Sequence, residues 1–414
     1  MTLLIRNIGQ LVLAESTPKS RVAGEEMATL PTLSNAYLHL EGERISAFGP
    51  MAECPDLPGA NVIDATDRLV MPSYVDSHTH LVFPAWREGE FVDKIKGLSY
   101  AEIAAKGGGI LNSAGTLATT SEDELVERAL PRLKEVIGFG TGAIEIKSGY
   151  GLSVEGELKM LRAIRKLREH SPIPIKATFL GAHAIPKNYS DRRQYIDLII
   201  REMIPQVAEE GLADYCDVFC ETGFFTQAET EEICGVGLEY GLKPKIHANQ
   251  LNLSGGVQAG VNLGAVSVDH LETMSEAEIV ALQGSGVIGT MLPGCSFFLR
   301  MQYPPARELI NAGIPVALAT DYNPGSAPLG KMPLVVSLAC IQMRMTPEEA
   351  FWAATLNGAA ALELSHELGS IAVGKRANLY ITKAIPSYAH IPYAFGGDAI
   401  DTIILNGKVY TPEE

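Results

Sequence analysis

Between residues 67 and 365 the chain repeats one pattern, a short apolar run followed by a stretch of helical periodicity. The runs are LVMPSYVDSHTH, TGAIEIKSG, IKATFLGAH, YCDVFCET, KPKIHANQ, AVSVDHL, GVIGTML and PVALATD. Continuous apolar runs alternating with amphipathic helices indicate strands of a parallel sheet covered on its faces by helices. Eight such units in about 300 residues match a closed α/β architecture, the (β/α)8 TIM-like barrel. A doubly wound open sheet would carry a Gly-rich dinucleotide turn after its first strand, whereas SHTH stands there.

Helix starts are marked by S/T-x-x-E capping boxes at Ser99–Glu102, Ser121–Glu124, Thr226–Glu229, Ser275–Glu278 and Thr346–Glu349, the last with Pro347 at the first helical position. After Ser153, Leu158, Leu161, Ile164 and Leu167 recur at helical spacing and predict a stripe packed on the sheet. Both chain ends instead read as short β runs broken by Gly, Asn and Pro, with a hairpin turn at Asn406-Gly407. The expected organisation is a small β-sandwich domain built from 1–66 and 366–414 around a barrel of 67–365.

Forty-nine acidic against 33 basic residues give a net charge of −16, which repels nucleic acid and anionic membranes at long range. No stretch approaches the roughly 18 apolar residues of a membrane span, and Arg6 interrupts any signal-peptide core, so a cytoplasmic protein is expected. Six cysteines without a CxxC suggest neither a disulfide framework nor a zinc knuckle, and Cys216 and Cys220 read as small buried residues.

In a barrel the chemistry lies at the C-terminal ends of the strands. His78 and His80 end the first run, His183 the third, His247 the fifth, Asp269 and His270 the sixth and Asp321 the eighth. Converging at one mouth, His78, His80, His247 and Asp321 supply three imidazoles and a carboxylate, a set suited to Zn²⁺ or Fe²⁺. A metal there lowers the pKa of water from about 16 toward 7, which implies hydrolysis. LNSAG around Ser113 lacks the leading Gly of a nucleophile elbow, and Gly107-Gly108-Gly109 does not follow a strand.

PSYVDSHTHLVF, the strand-end His and Asp residues and the closing GSIAVGKRANL resemble the amidohydrolase superfamily. Within it, THLVFPAWREGEF, KGGGI, EIKSGYGL, FLGAHAIP, KIHANQ, DHLE, LATDYNPGS and IPYAFG are similar to the imidazolonepropionases, in order from the first barrel strand to the last β segment. The resemblance implies hydrolytic ring opening of 4-imidazolone-5-propanoate to N-formimidoyl-L-glutamate with one Zn²⁺ or Fe ion (2+ or 3+), in histidine catabolism. It implies His78, His80, His247 and Asp321 as ligands, the set reached from the strand ends. It also implies a small anionic heterocycle as substrate, a pocket containing Arg87, Tyr100, Tyr150, His183 and Asn323, and a homodimer.

Arg87 is the expected anchor for the propanoate, since an acidic protein needs a local fixed cation to hold an anion. Tyr100 and Tyr150 offer hydroxyls and ring faces to a flat ring. Glu145 and Lys147 read as a structural pair inside the barrel. Relatives often carry Glu where this chain has Gln250, and an amide cannot act as a base, so Gln250 is expected to orient water or substrate. Proton transfer then falls to Asp321 or His270, with His183 or His270 stabilising the oxyanion. Binuclear relatives use a carboxylated lysine on a middle strand; the fourth run here ends in Cys220-Glu221, which favours one metal. Two other readings use the same fold: a deaminase of a nucleobase, and a structural protein without catalysis.

Overall fold

The computed structural model describes residues 2–98, 102, 108–395 and 397–411. Tyr100 and the Ser99 end of the first expected capping box lie outside the described residues. The N-terminal segment forms β1 (Thr2–Val12), β2 (Thr32–Glu41), β3 (Arg44–Pro50), β4 (Asn61–Asp64) and β5 (Leu69–Pro72). Then follow β6 (Tyr74–Asp76), β7 (Thr141–Lys147), β8 (Ile175–Ala182), β9 (Tyr215–Cys220), β10 (Lys243–Ala248), β11 (Ser267–His270), β12 (Ile288–Met291) and β13 (Val316–Leu318). The chain finishes with β14 (Leu379–Thr382), β15 (Ile400–Leu405) and β16 (Lys408–Val409).

Strands β6 to β13 are parallel and neighbour one another in chain order. Beyond the ends of β6 and β13 the sheet is drawn together by a parallel bridge between Thr79 and Tyr322. Asp321 N donates to His78 O at 3.0 Å and His80 N to Tyr322 O at 2.9 Å. The barrel is thus nearly closed, and its closing bonds run through the residues expected to hold a metal.

Strand alternation sorts each barrel strand into an outward apolar row and an inward polar one. On β7, Ile144 and Ile146 join the core beneath the helices, with Leu158, Leu161, Ile164 and Leu167 of the helix Val154–His170 in the same cluster. Glu145 and Lys147 occupy the other face, fully buried. Four helices begin at the expected boxes: Ser121, Thr226, Ser275 and Thr346 are N-caps, each reciprocated by its Glu.

The two chain ends join in one mixed sheet, ordered β16-β15-β14-β5-β1-β2-β3 with β4 beside β1. One difference from expectation concerns its seam with the barrel. The run LVMPSYVDSHTH is two strands: β5 pairs with β1 and β14 in the end sheet, and only β6 enters the barrel. The run is apolar throughout, so no change of period marks the handover; Pro72, at the end of β5, precedes Ser73, whose N–H donates to Asn378 O at 3.0 Å. The hairpin between β15 and β16 turns at Asn406 (φ 51°) and Gly407 (φ 71°), the two left-handed residues a type I′ turn needs. A Cβ at Gly407 would stand 2.1 Å from Gly42 O, so glycine is required there on contact as well.

Candidate metal centre and substrate cavity

The inward rows of the barrel strands build the site in layers. Deepest lie Glu145 and Lys245, joined at 3.1 Å. Above them Lys147 Nζ contacts Glu145 at 2.7 Å, Asp217 at 2.9 Å and Asp269 at 3.7 Å, all without solvent exposure. Burial acts against the Lys147 charge, but Asp217, Glu145 and Asp269 together raise its pKa above the ordinary lysine value. The two aspartates then face upward: Asp269 accepts from His78 Nδ1 at 2.7 Å and Asp217 from His247 Nδ1 at 2.8 Å.

A carboxylate can only accept, so both rings carry their proton on Nδ1 and turn a bare Nε2 toward the mouth. His78 Nε2 is buried with no hydrogen-bond partner. His247 Nε2 lies 3.4 Å from His80 Nε2, and Asp321 Oδ1 lies 3.6 Å from the Nε2 atoms of both His78 and His80. Burial, then neighbouring cationic partners, holds His78, His80 and His247 well below the ordinary histidine pKa, so all three are neutral donors. Unpaired lone pairs facing one another in a buried site repel unless a cation lies among them. His78, His80 and Asp321, and likewise His78, His247 and His270, bring their donor atoms within reach of one cation, so the set fits a nitrogen and oxygen metal site. Burial pushes the Asp321 carboxyl up to about 6, and a cation beside it would lower it again.

His270 adjoins this set, with its ring centroid 5.3 Å from that of His247. Burial opposes its charge, yet Glu272, 3.3 Å from Nδ1, and Asp321 hold its pKa above the ordinary value. His270 (φ 85°) and Asp321 (φ 56°) both adopt left-handed backbone, a strain of roughly 1–3 kcal/mol each that the surrounding barrel must sustain.

The cluster opens into a cavity of about 610 Å³ lined by His80, Arg87, Tyr150, His183, His247, Gln250, His270, Asp321 and Asn323. The structure thus brings together every expected site residue that it describes except His78, which lies one layer below. Among the described residues, Arg87 Nε and Nη1 are buried without hydrogen-bond partners; Glu90 lies 3.5 Å from Nε. Gln250 donates to Cys295 Sγ at 3.3 Å.

Two expectations change in detail. His183 Nδ1 lies 2.9 Å from Gly149 O, which can only accept, and burial lowers its pKa to about 4. Its Nε2 is therefore an acceptor, and the expected donation from His183 to an oxyanion lacks a proton. Asn323 gives its amide hydrogens to Asp321 O and Ser326 Oγ and accepts from the backbone of Gly325 and Ser326. Its four hydrogen-bonding sites are engaged, so it shapes the loop after β13 instead of offering a free donor to a ligand.

Residues 69–410 match the amidohydrolase family. The chain is 55% identical to an imidazolonepropionase of Flavobacterium johnsoniae over 99% of this chain and 100% of that one. It is 42% identical to an imidazolonepropionase of Geobacillus kaustophilus, covering 98% and 97% of the two chains. The chain belongs to the imidazolonepropionase family of amidohydrolases. Among solved structures, a 5-methylcytosine deaminase of Klebsiella pneumoniae liganded with phosphonocytosine superposes with a TM-score of 0.74 at 19% identity, over 99% of this chain and 98% of that one. A zinc-bound adenosine deaminase of Xanthomonas campestris gives 0.69 at 18% identity, over 98% and 92%. At such identities the likeness is one of fold.

Asp217, Lys245 and Glu272 carry no signal in the sequence as site residues: Asp217 stands alone in an apolar run, while Lys245 and Glu272 have Lys243 and Asp269 nearby and read as ordinary strand-end charges. Inward alternation was the available clue: 245 shares a strand face with 247, and 217 pairs with 245 across β9 and β10. Glu221, a possible bridging ligand, is occupied with the backbone of Thr222 and Leu251 and with Asn252.

Proposed function

We propose that this enzyme hydrolyses 4-imidazolone-5-propanoate to N-formimidoyl-L-glutamate, using one Zn²⁺ or Fe ion held by His78, His80, His247 and Asp321. The observation that carries the substrate choice is Arg87, whose Nε and Nη1 are buried without a hydrogen bond among the described residues, on the wall of the cavity that opens over the imidazole cluster. A buried guanidinium with donors left without a hydrogen bond, beside a single carboxylate at 3.5 Å, favours an anionic ligand, here the propanoate. When bound, the ion supplies Lewis acidity and water that is nucleophilic near neutral pH.

The protein's own groups do the rest. Tyr150 borders the imidazolone ring, and His183 Nε2 accepts from a ring N–H. His270, biased toward its protonated form, donates to the oxyanion that develops on the ring carbonyl. Asp321 takes the proton from the attacking water and delivers it to the departing ring nitrogen. Gln250 orients the substrate through its amide.

The test is turnover of 4-imidazolone-5-propanoate alongside cytosine and guanine. The expected result is formimidoylglutamate formation and no ammonia from either base, with Arg87→Ala weakening substrate binding by about 2–5 kcal/mol. Ammonia from a nucleobase without imidazolone turnover would establish the deaminase reading instead.

A further inference from the structure

Arg87 is not the only cation on the cavity wall. Lys94 lies seven residues further along, in the helix Glu88–Ile95 that Arg87 precedes, and both side chains line the cavity. They meet at Gly325, in the loop after β13. Lys94 Nζ donates to Gly325 O at 3.2 Å, and a Cβ on Gly325 would stand 1.4 Å from Arg87 Nη2. That loop is held by Asn323, and its Ser326 hydroxyl donates to Asp321 Oδ2 at 3.2 Å.

Two cations converging on one glycine of a half-buried wall repel each other. Burial and then Arg87 lower the pKa of Lys94, which records that repulsion. Glu90 offsets part of it, but its Oε1 is already shared with Gly109 N and Asn112 Nδ2. Among the described groups that meet here, Arg87 and Lys94 against Glu90, positive charge is in excess.

We infer that Lys94 and Arg87 form a two-cation seat for the substrate's carboxylate, with Gly325 as the floor that lets both cations approach, and that Lys94 thereby sets specificity for an anionic side chain. This rests on the proposed function and names a determinant of its specificity. The carboxylate accepts from the guanidinium on one side and from the ammonium on the other, and no proton transfer or covalent step is involved.

The experiment compares wild type with Lys94→Met, Lys94→Arg and Gly325→Ala in steady-state turnover of 4-imidazolone-5-propanoate. Calorimetric binding of 3-(imidazol-4-yl)propanoate is measured in parallel. A charge-assisted hydrogen bond is worth a factor of about 10 to 100 in binding. Lys94→Met is expected to raise KM and the dissociation constant of the probe by that factor, with kcat within about threefold of wild type. Lys94→Arg should restore most of the loss. Gly325→Ala should raise KM by displacing Arg87. Unchanged KM and probe affinity in Lys94→Met, with an active wild type, would overturn the two-cation seat and leave the proposed function standing. A wild type that does not turn over the imidazolone would overturn both.

Discussion

Gln250 and His270 line the same cavity, but only one of them can change its charge. The Gln250 amide donates to Cys295 Sγ and has no proton to exchange, whereas His270 is held above its ordinary pKa by Glu272 and Asp321. Gln250→Ala should therefore lower kcat far less than His270→Ala or Asp321→Asn. Equal losses of several orders of magnitude in the three variants, read in single-turnover kinetics, would contradict the assignment. The residues of the mouth were legible because a lone His or Asp ending an apolar strand is conspicuous. What the sequence did not reveal is protonation. The tautomer of His183 follows from Gly149 O, and the exhausted amide of Asn323 follows from a four-residue loop, and both are set by backbone geometry that residue types do not encode.

At the scale of strands, the inward row of β7, β9, β10 and β11 is a stack of charges that orients the imidazoles His78 and His247. Lys147 joins the carboxylates behind His247 and His78, so removing it leaves Glu145 with Lys245 alone and takes from buried Asp217 and Asp269 the lysine they share. Lys147→Met should destabilise the protein by about 3–5 kcal/mol, the cost of an uncompensated buried charge. Denaturant unfolding that shows less than about 1 kcal/mol would mean the stack is not coupled in this way. The eight barrel strands and four of the helix starts were readable from apolar runs and capping boxes. The handover from β5 to β6 was not, because both sheets want the same apolar residues there and only pairing partners distinguish them.

Across the whole molecule, the chain crosses from barrel to end sheet through the segment around residue 371, which bridges Ala14, and Lys375 is buried just beyond it. Lys375 Nζ donates to Leu368 O at 3.1 Å and Ser370 Oγ at 2.8 Å, and burial lowers its pKa to about 8. A free lysine titrates near 10.4, so between about pH 8 and 10.4 the unfolded chain binds more protons at this site than the folded one. This group's contribution to stability therefore rises with pH across that window. Lys375→Met should remove that rise, seen as a lower slope of unfolding free energy against pH; an unchanged slope would show that Lys375 titrates normally. The net charge of −16 tells nothing about the substrate's sign, since the cavity carries its own cations.

The central claim is that one ion, held by His78, His80, His247 and Asp321, makes this barrel a hydrolase. It is tested most directly by stripping the protein of metal and following imidazolone turnover as Zn²⁺ or Fe²⁺ is returned. Activity should be absent at first, rise in proportion to added metal and level off at one equivalent per chain. Full activity in the stripped protein, or a plateau reached only at two equivalents, would contradict the account.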